Sequence, residues 1–171
     1  LGIGLRLFIL ALQIAGSIIA QATSLAQLFG GTGPEPQPAI SNLLVVAGLA
    51  FAVASGLHIH VAQLLILSYD VIPPGRLATG ADFAQWGLFQ IGRAFALGFS
   101  LAAPFTIAAL LYNVAIGAIN RAMPTLMVSF VGAPALTGGG LLLLAILTPV
   151  TLGIWLQVFE AFLAQPFKAT P

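Results

Sequence analysis

Long apolar runs fill most of this chain, and short clusters of proline, glycine and polar residues separate them. Each run is long enough to cross the roughly 30 Å hydrocarbon core of a membrane as a helix of about 20 residues. Boundaries are expected at the clusters, because proline lacks a backbone donor and restricts the residue before it. The pattern therefore predicts four helical stretches, at residues 4–28, 39–69, 81–120 and 124–164.

Prolines inside the last two stretches predict further interruptions. Pro104 removes the backbone hydrogen bond to the Ser100 carbonyl, so a kink is expected there. In the fourth stretch, Pro134, Pro149 and the run Thr137–Gly140 predict a broken helix or two helices. Irregular backbone of this kind is tolerated at membrane depth only where protein or a water-filled cavity supplies hydrogen-bond partners.

The segment NRAMPTLMVSFVGAP (120–134) joins the third and fourth stretches. Arg121 is predicted to end one helix favourably, because a cation interacts with the negative end of the helix dipole. Pro124 is predicted to begin the next helix at a first-turn position, where a backbone N–H has no partner in the helix anyway. Gly132 and Pro134 are predicted to break that helix again.

Composition supports helices in a membrane. Of the 171 residues, 60% are hydrophobic and 5% charged, with a mean hydropathy of +1.10, whereas soluble domains carry about 25% charged residues. The chain also lacks the short alternating segments of a membrane β-barrel. We therefore predict an all-α fold, a polytopic membrane-type protein with kinked and broken helices that is part of a helical multi-subunit assembly.

Little in the sequence points to chemistry. The chain has no cysteine, and its net charge of +1 provides no basic patch for nucleic acid. It contains no nucleophile motif, paired carboxylates, metal-binding motif or glycine-rich phosphate loop, so we predict no enzymatic activity, cofactor or metal. The chain begins at Leu1 inside an apolar run, without methionine or signal peptide. We therefore expect one helical domain over residues 1–171 that lacks an N-terminal part.

Small residues recur at four-residue spacing in three of the stretches. Each set lies along one helix face and permits close approach of another helix. The partner helix belongs either to this chain or to another subunit. The three sets are Gly16, Ala20 and Ser24; Gly48, Ala52 and Gly56; and Ala94, Gly98 and Ala102.

Two polar side chains in apolar stretches are candidates for buried sites. His58 and His60 are separated by about 200° around a helix, so they cannot share a metal ion as an i, i+4 pair would. His58 is interpreted as a buried structural histidine with a hydrogen-bonded neighbour, or as a histidine that titrates for function. Arg93 requires a partner, which is Asp82 or Glu160 in this chain, another subunit, or the head-group region.

Six amide side chains also lie in apolar stretches, where each needs a hydrogen-bond partner. Their number favours burial in a large helical assembly over exposure to lipid. They are Gln13, Gln21, Gln27, Gln63, Asn113 and Gln157.

Three segments resemble one protein family in the family's own order. They are ALQIAGSIIAQATSLAQLF (11–29), GLHIHVAQLLILSYDVIPPG (56–75) and APFTIAALLYNVAIGAINRAMPTLMVSFVGAP (103–134). The series resembles the FliR family of flagellar biosynthesis proteins, which are export-gate components of type III secretion. The matching positions are Ala15, Gly16, His58, Ser68, Pro73, Gly75, Pro104, Gly117, Arg121, Pro124, Gly132 and Pro134. The chain departs from the family at Thr125 and Met127, where polar groups are usual, and at Leu136, where a basic residue is usual.

The resemblance implies a structural subunit that assembles with FliP and FliQ, and with FlhB and FlhA nearby, into an entry portal for unfolded export substrates. It implies a location at the bacterial inner membrane, within the flagellar basal body, where the portal contacts the lipid membrane and sits largely above the bilayer plane. It also implies that the loop at residues 29–38 projects into the closed pore as a plug. The predicted plug residues are Phe29, Gly30, Gly31, Gly33, Pro34 and Pro36.

A secondary transporter is the alternative prediction. In such proteins broken helices frame a substrate site at the membrane midplane. Pro104 and Pro134 would supply the breaks, and Arg93 and His58 the polar groups.

Overall fold

The computed structural model describes residues 2–24, 39–71, 80–122 and 128–166. Within these ranges the chain forms five α-helices and no strand, which confirms the predicted all-α class. The helices are α1 (Gly2–Ser24), α2 (Ala39–Ala54), α3 (Leu57–Val71), α4 (Gly80–Ala122) and α5 (Val128–Ala164). Three of them are long and apolar enough to cross a membrane, and α2 with α3 would add a fourth crossing as one bent span.

α1 lies at the centre of the fold and runs parallel to α4. Phe8, near the start of α1, lines a small cavity with Arg93 of α4. Thr23, near the end of α1, lines a cleft with Tyr112, which is further along α4. The chain returns through α2 and α3 between these two helices, so α1 and α4 run in the same direction.

Glycines set the spacing between α1 and its neighbours. A Cβ atom at Gly16 would overlap the backbone of Ser41 in α2, and one at Gly48 would lie 2.5 Å from Leu12 Cδ1. In α4, a Cβ atom at Gly98 would lie 3.0 Å from a carbonyl oxygen of α1. One glycine from each predicted small-residue set therefore packs within this chain, which is the first of the two alternatives considered for those sets.

An aromatic cluster joins α1 to α5. Trp155 is 1% exposed, and its Nε1 donates a hydrogen bond to the Phe8 carbonyl oxygen at 3.0 Å. The ring centroid of Phe8 lies 5.2 Å from that of Phe159 and 5.1 Å from that of Phe162. Trp155 also stacks on Phe159, with centroids 5.1 Å apart. We call the part of the fold around these four side chains the base.

α4 and α5 continue past the end of α1 as a pair of helices. We call this pair the arm and define it as residues 110–122 of α4 and 128–142 of α5. The Tyr112 hydroxyl donates a hydrogen bond to the Gly132 carbonyl oxygen at 2.5 Å, which joins the two helices. Because Thr23 near the end of α1 lies level with Tyr112, the arm reaches about 15 Å beyond α1 at 1.5 Å per residue.

The second predicted stretch is not a single helix. Between α2 and α3 the chain bends by 75°, and Gly56 at the bend has a φ of +91°. Glycine adopts this backbone conformation without the clash that a Cβ atom would cause. The prediction of an uninterrupted stretch over residues 39–69 is therefore wrong. The Ser55–Gly56 pair is a turn signal that could have located the bend.

The predicted breaks in the fourth stretch are also wrong. α5 runs from Val128 to Ala164 without interruption, and Gly132, Pro134 and Pro149 all lie inside it. α4 also continues through Pro104, and the kink predicted at that residue stays a prediction. In apolar surroundings the backbone has no water to bond instead, so the helix remains the favoured conformation on both sides of a proline.

The connection between α4 and α5 agrees only partly with the predictions. Arg121 lies in the last turn of α4, as predicted, and the helix ends at Ala122. Pro124 lies outside the described residues, so its role as a helix start stays a prediction. Gly117 neither breaks α4 nor packs against this chain, because it is exposed and a Cβ atom there would meet no atom within 4 Å.

Candidate functional site

The predicted plug residues lie between α1 and α2, outside the part of the chain that the structure describes. They are Phe29, Gly30, Gly31, Gly33, Pro34 and Pro36. The two flanking helices meet where Gly16 faces Ser41, towards the end of α1 and the beginning of α2. The end of α1 and the start of α2 therefore lie on the side from which the arm extends. Its role as a plug stays a prediction.

A cleft of about 210 Å³ opens where the arm meets the end of α1. Among the described residues, its polar side chains are Thr23 and Tyr112, and both hydroxyls are already engaged. Thr23 Oγ1 donates to the Ile19 carbonyl oxygen at 3.0 Å, and Tyr112 donates to Gly132. The cleft is therefore an apolar surface without a reactive group. It is lined by Thr23, Phe105, Ala108, Ala109, Tyr112, Ala135, Leu136, Gly139, Gly140 and Leu143.

The two histidines lie at the start of α3, directly after the bend. His58 is exposed, so its prediction as a buried polar residue is wrong. The bend, which the prediction of an uninterrupted helix did not include, places His58 in the first turn of α3. His60 makes the hydrogen bond instead, with Nδ1 3.1 Å from the Gly56 carbonyl oxygen. This contact ties the first turn of α3 to the bend.

Arg93 lies on α4 beside the base and is half-buried. Its guanidinium carbon is 5.8 Å from the centroid of the Phe89 ring, a cation–π distance. The predicted ion pair with Glu160 is wrong, since Glu160 is exposed and the two form no ion pair. The side chain of Asp82 lies outside the described residues. However, eleven residues along one helix amount to about 16 Å, beyond the reach of the two side chains.

The structure adds Gln90 to this polar site. Gln90 is 4% exposed and lines a cavity of about 10 Å³ together with Arg93, Leu7 and Phe8. No group of three or more histidine or acidic residues that could hold a metal ion occurs within the described ranges. In the sequence, Gln90 was visible only as one of two glutamines before Arg93, because burial depends on how α1 packs on α4.

Large apolar side chains remain exposed over much of the molecule. On α4 they extend along the whole helix, from the first turn to the last. Pro104 and Pro134 are also exposed, and so are the amides Gln13, Gln21, Gln63 and Gln157. The exposed large apolar residues of α4 are Phe83, Leu88, Ile91, Phe95, Phe99, Ile107, Leu110, Leu111, Val114 and Ile119.

Known proteins resemble this chain over nearly its full length. The family described as bacterial export proteins, family 1, matches residues 1–162. Flagellar biosynthetic protein FliR of Caulobacter vibrioides is 31% identical over 165 residues, covering 95% of this chain and 66% of that protein. The protein of the same name from Aquifex aeolicus is 29% identical, covering 98% of this chain and 68% of that protein.

A third relative gives the same result. Flagellar biosynthetic protein FliR of Pectobacterium carotovorum is 29% identical over 157 residues, covering 88% of this chain and 58% of that protein. The chain thus spans about two thirds or less of the length of these relatives. The resemblance drawn from the three sequence segments is confirmed. On these matches, the chain belongs to the family of bacterial export proteins, family 1.

Proposed function

We propose that this chain is a structural subunit of the flagellar type III export gate, where it forms part of the channel for unfolded substrates. Three relatives carry the name Flagellar biosynthetic protein FliR, which supports an export role. The family consists of structural export components, so the chain is not an enzyme. The apolar cleft, whose hydroxyls are engaged by the helices themselves, fits a structural role as well.

The observation that carries the proposal is the apolar length of α4. Exposed large apolar side chains run from Phe83 to Ile119, about 54 Å along the helix axis. A hydrocarbon core about 30 Å thick, crossed at a tilt of 40°, accommodates only about 39 Å of helix. The rest of this surface requires cover from other polypeptides, as in a subunit of a helical assembly.

We infer that FliP and FliQ provide this cover, and that FlhB and FlhA are further neighbours in the basal body of the inner membrane. Exposed amides on α1, α3 and α5 support protein neighbours. Acyl chains offer an amide no hydrogen bond, whereas a neighbouring helix does. The residues concerned are Gln13, Gln21, Gln63 and Gln157.

Copurification tests the assembly. The full-length protein is expressed with a tag, with or without FliP and FliQ, and solubilised in detergent. We expect the tagged protein to bring down both partners, and to aggregate or be degraded without them. A monodisperse, folded protein that inserts into lipid without companions would contradict the proposal.

Conductance tests the plug separately. Removal of Gly31–Gln37 from the assembled gate should leave copurification intact and make the membrane leak ions, because the predicted plug is shortened. A matched control replaces the same seven residues with glycine and serine, which keeps the length and removes Pro34 and Pro36. If the deletion leaves conductance unchanged, the plug assignment is lost while the assembly proposal stands.

The described helices do not support the prediction of a secondary transporter. It required helix breaks at Pro104 and Pro134, but α4 and α5 continue through both residues. It also required polar groups near one site, whereas His58 is exposed on α3 and Arg93 lies beside α1 and α5. No observation in the described ranges favours this function over the export gate.

A further inference from the structure

The α4 wall of the apolar cleft continues past the end of α1. In the base, a Cβ atom at Gly98 of α4 would lie 3.0 Å from the Ala11 carbonyl oxygen, so these two residues are level with each other. Tyr112 follows Gly98 by fourteen residues, whereas Ser24, the last residue of α1, follows Ala11 by thirteen. Because the two helices run parallel with the same rise per residue, Tyr112 lies beyond Ser24.

The α5 wall of the cleft also continues past this point. A Cβ atom at Gly140 would lie 2.5 Å from Thr23 Cγ2, so Gly140 is level with the end of α1. α5 runs antiparallel to α1, because its later part packs on Phe8 near the start of α1. Leu136, four residues before Gly140, therefore lies about 6 Å further along the arm. The upper part of the cleft has walls from α4 and α5, and no described residue lies between them.

The spacing of buried residues on α1 identifies the next positions that would face this cleft. Five of these residues are separated by alternating steps of four and three, the spacing of one helix face packed against neighbouring helices. The next two positions in the series are Ala26 and Phe29. The five residues are Phe8, Leu12, Ala15, Ile19 and Ala22, and each is at most 7% exposed.

The sequence after Ser24 is compatible with a longer helix. Residues 25–29 read LAQLF, and the glycine- and proline-rich run begins only at Gly30. Leucine, alanine and glutamine are good helix formers, and proline and glycine are poor ones. The first five residues after α1 can therefore extend it by about 7 Å, at 1.5 Å per residue.

The remaining chain is long enough to return to α2. A helix that reaches Phe29 ends about 20 Å beyond Gly16, which is the level at which Ser41 of α2 contacts α1. Residues 30–38 span up to about 30 Å when extended. Occupation of the cleft by residues 25–29 is therefore compatible with the start of α2 at Ala39.

The cleft fits the side chains of this segment. Its volume is about 210 Å³, and an apolar cavity of about 150 Å³ is known to hold benzene. The phenyl ring of Phe29 and the methyl group of Ala26 can therefore enter together. The hydroxyls of Thr23 and Tyr112 are bonded within the helices, so the cleft requires no polar group from its occupant. A segment attached directly to α1 also has a higher effective concentration there than a separate molecule has.

We propose that residues 25–29 continue α1 between α4 and α5, and that Ala26 and Phe29 fill the apolar cleft. The ring of Phe29 packs near Tyr112 and Leu136, because long side chains on a helix lean towards its N-terminal end. Phe29 then anchors the following glycine- and proline-rich segment to the arm. This packing within one chain depends neither on the export role nor on the plug assignment.

Cysteine pairs test the proposal in the full-length protein, in the complex with which it purifies. These 171 residues contain no cysteine, and any in the rest of the protein are replaced by serine. Ala26→Cys is combined with Gly139→Cys, because Gly139 lines the cleft and a Cβ atom there meets no atom within 4 Å. We expect oxidation to join this pair, since a disulfide forms when the two Cα atoms lie within about 7 Å.

Leu28→Cys with Gly139→Cys is the matched control. Residue 28 lies about 200° around a continued helix from residue 26, so this pair should stay reduced under the same oxidation. Equal crosslinking of the two pairs would overturn the proposal, because it would show that the segment has no fixed face towards the cleft. Crosslinking of neither pair would overturn it as well.

Two further measurements identify the occupant without a disulfide. A photoreactive amino acid in place of Ala135, which lines the cleft, should form adducts with residues 25–29. Adducts with another subunit or with lipid would overturn the proposal. Phe29→Ala should lower the unfolding temperature of the complex by about 5–10 °C, whereas Leu28→Ala should change it little. Equal unfolding temperatures of these two variants would contradict burial of Phe29.

Discussion

The base and the arm are built from the same two helices, α4 and α5. Only in the base do these helices pack against α1. In the base, α1 fills the space between them, so that Trp155 and Phe162 are almost fully buried. In the arm no described helix takes the place of α1, and Val114 and Leu142 are exposed. The base therefore has a packed core of its own beneath its exposed apolar surface, whereas the arm consists of two helices and offers an apolar surface that other molecules must cover.

Among the variants that test this comparison, loss of the Trp155 side chain should lower the free energy of unfolding most. Trp155→Ala removes a ring that is 1% exposed, its stacking on Phe159 and its hydrogen bond to Phe8. We expect a loss of about 3–5 kcal/mol in the free energy of unfolding. Thermal unfolding in detergent, followed by circular dichroism, measures it.

Trp86→Ala is the matched control for that variant. Trp86 is half-buried and also donates a hydrogen bond to a carbonyl, that of Pro166. Because less of its ring is enclosed, its removal should lower the unfolding temperature clearly less than Trp155→Ala does. If the two variants lowered the unfolding temperature equally, the buried Trp155 side chain would not stabilise the protein more than the half-buried Trp86 side chain does.

Close helix contact in the base predicts the next largest effect. In Gly16→Ala, the new Cβ atom would overlap the backbone of Ser41, which cannot move as a flexible side chain can. We expect a loss of about 1–3 kcal/mol in the free energy of unfolding. Gly117→Ala is the control, since its Cβ atom meets nothing within 4 Å; it should gain roughly 0.5–1 kcal/mol from helix propensity. A stable Gly16→Ala protein would contradict the α1–α2 packing.

The helical class and most of the helix positions could be predicted from the sequence, because they depend on hydrophobicity over long windows. Three of the four predicted stretches correspond to single helices, α1, α4 and α5. Arg121 lies in the last turn of α4, where a cation interacts favourably with the helix dipole. The family could be recognised as well. Its glycine and proline positions keep their order along the chain, whatever the local backbone does at each of them.

Local breaks could not be predicted in the same way. Proline and glycine signals are calibrated on segments where water competes for the backbone, and in apolar surroundings that competitor is missing. Pro134 and Pro149 therefore stay inside a helix, although their local signals predict breaks. Gly56 takes a positive φ at a bend that lies in an uncharged run. The polar site at Gln90 depends on the contact of α1 with α4, which no local pattern contains.

Within the arm, loss of the hydrogen bond from Tyr112 to Gly132 should have a moderate effect on the free energy of unfolding. Tyr112→Phe keeps the ring and removes the hydroxyl that donates to the Gly132 carbonyl oxygen at 2.5 Å. We expect a loss of about 0.5–1.5 kcal/mol in the free energy of unfolding. Hydrogen exchange should localise this loss to the arm, with faster exchange around Gly132 than around Trp155. Uniform acceleration would show that arm and base unfold as one unit, which would weaken the distinction between them.

An exposed apolar residue at the start of the arm should have the smallest effect on stability and a clear effect on assembly. Leu111 is 65% exposed, so Leu111→Gln should change the free energy of unfolding by less than about 0.5 kcal/mol. Leu101→Gln is the matched control, because Leu101 lies ten residues earlier on α4 and is 3% exposed. It should unfold the base, because a buried amide without a partner replaces packed hydrocarbon. If partner subunits cover the arm, Leu111→Gln should reduce copurification with FliP and FliQ although the chain stays folded. Unchanged copurification would show that this part of the arm faces lipid, because a neighbouring helix packed on Leu111 would have to enclose the new amide.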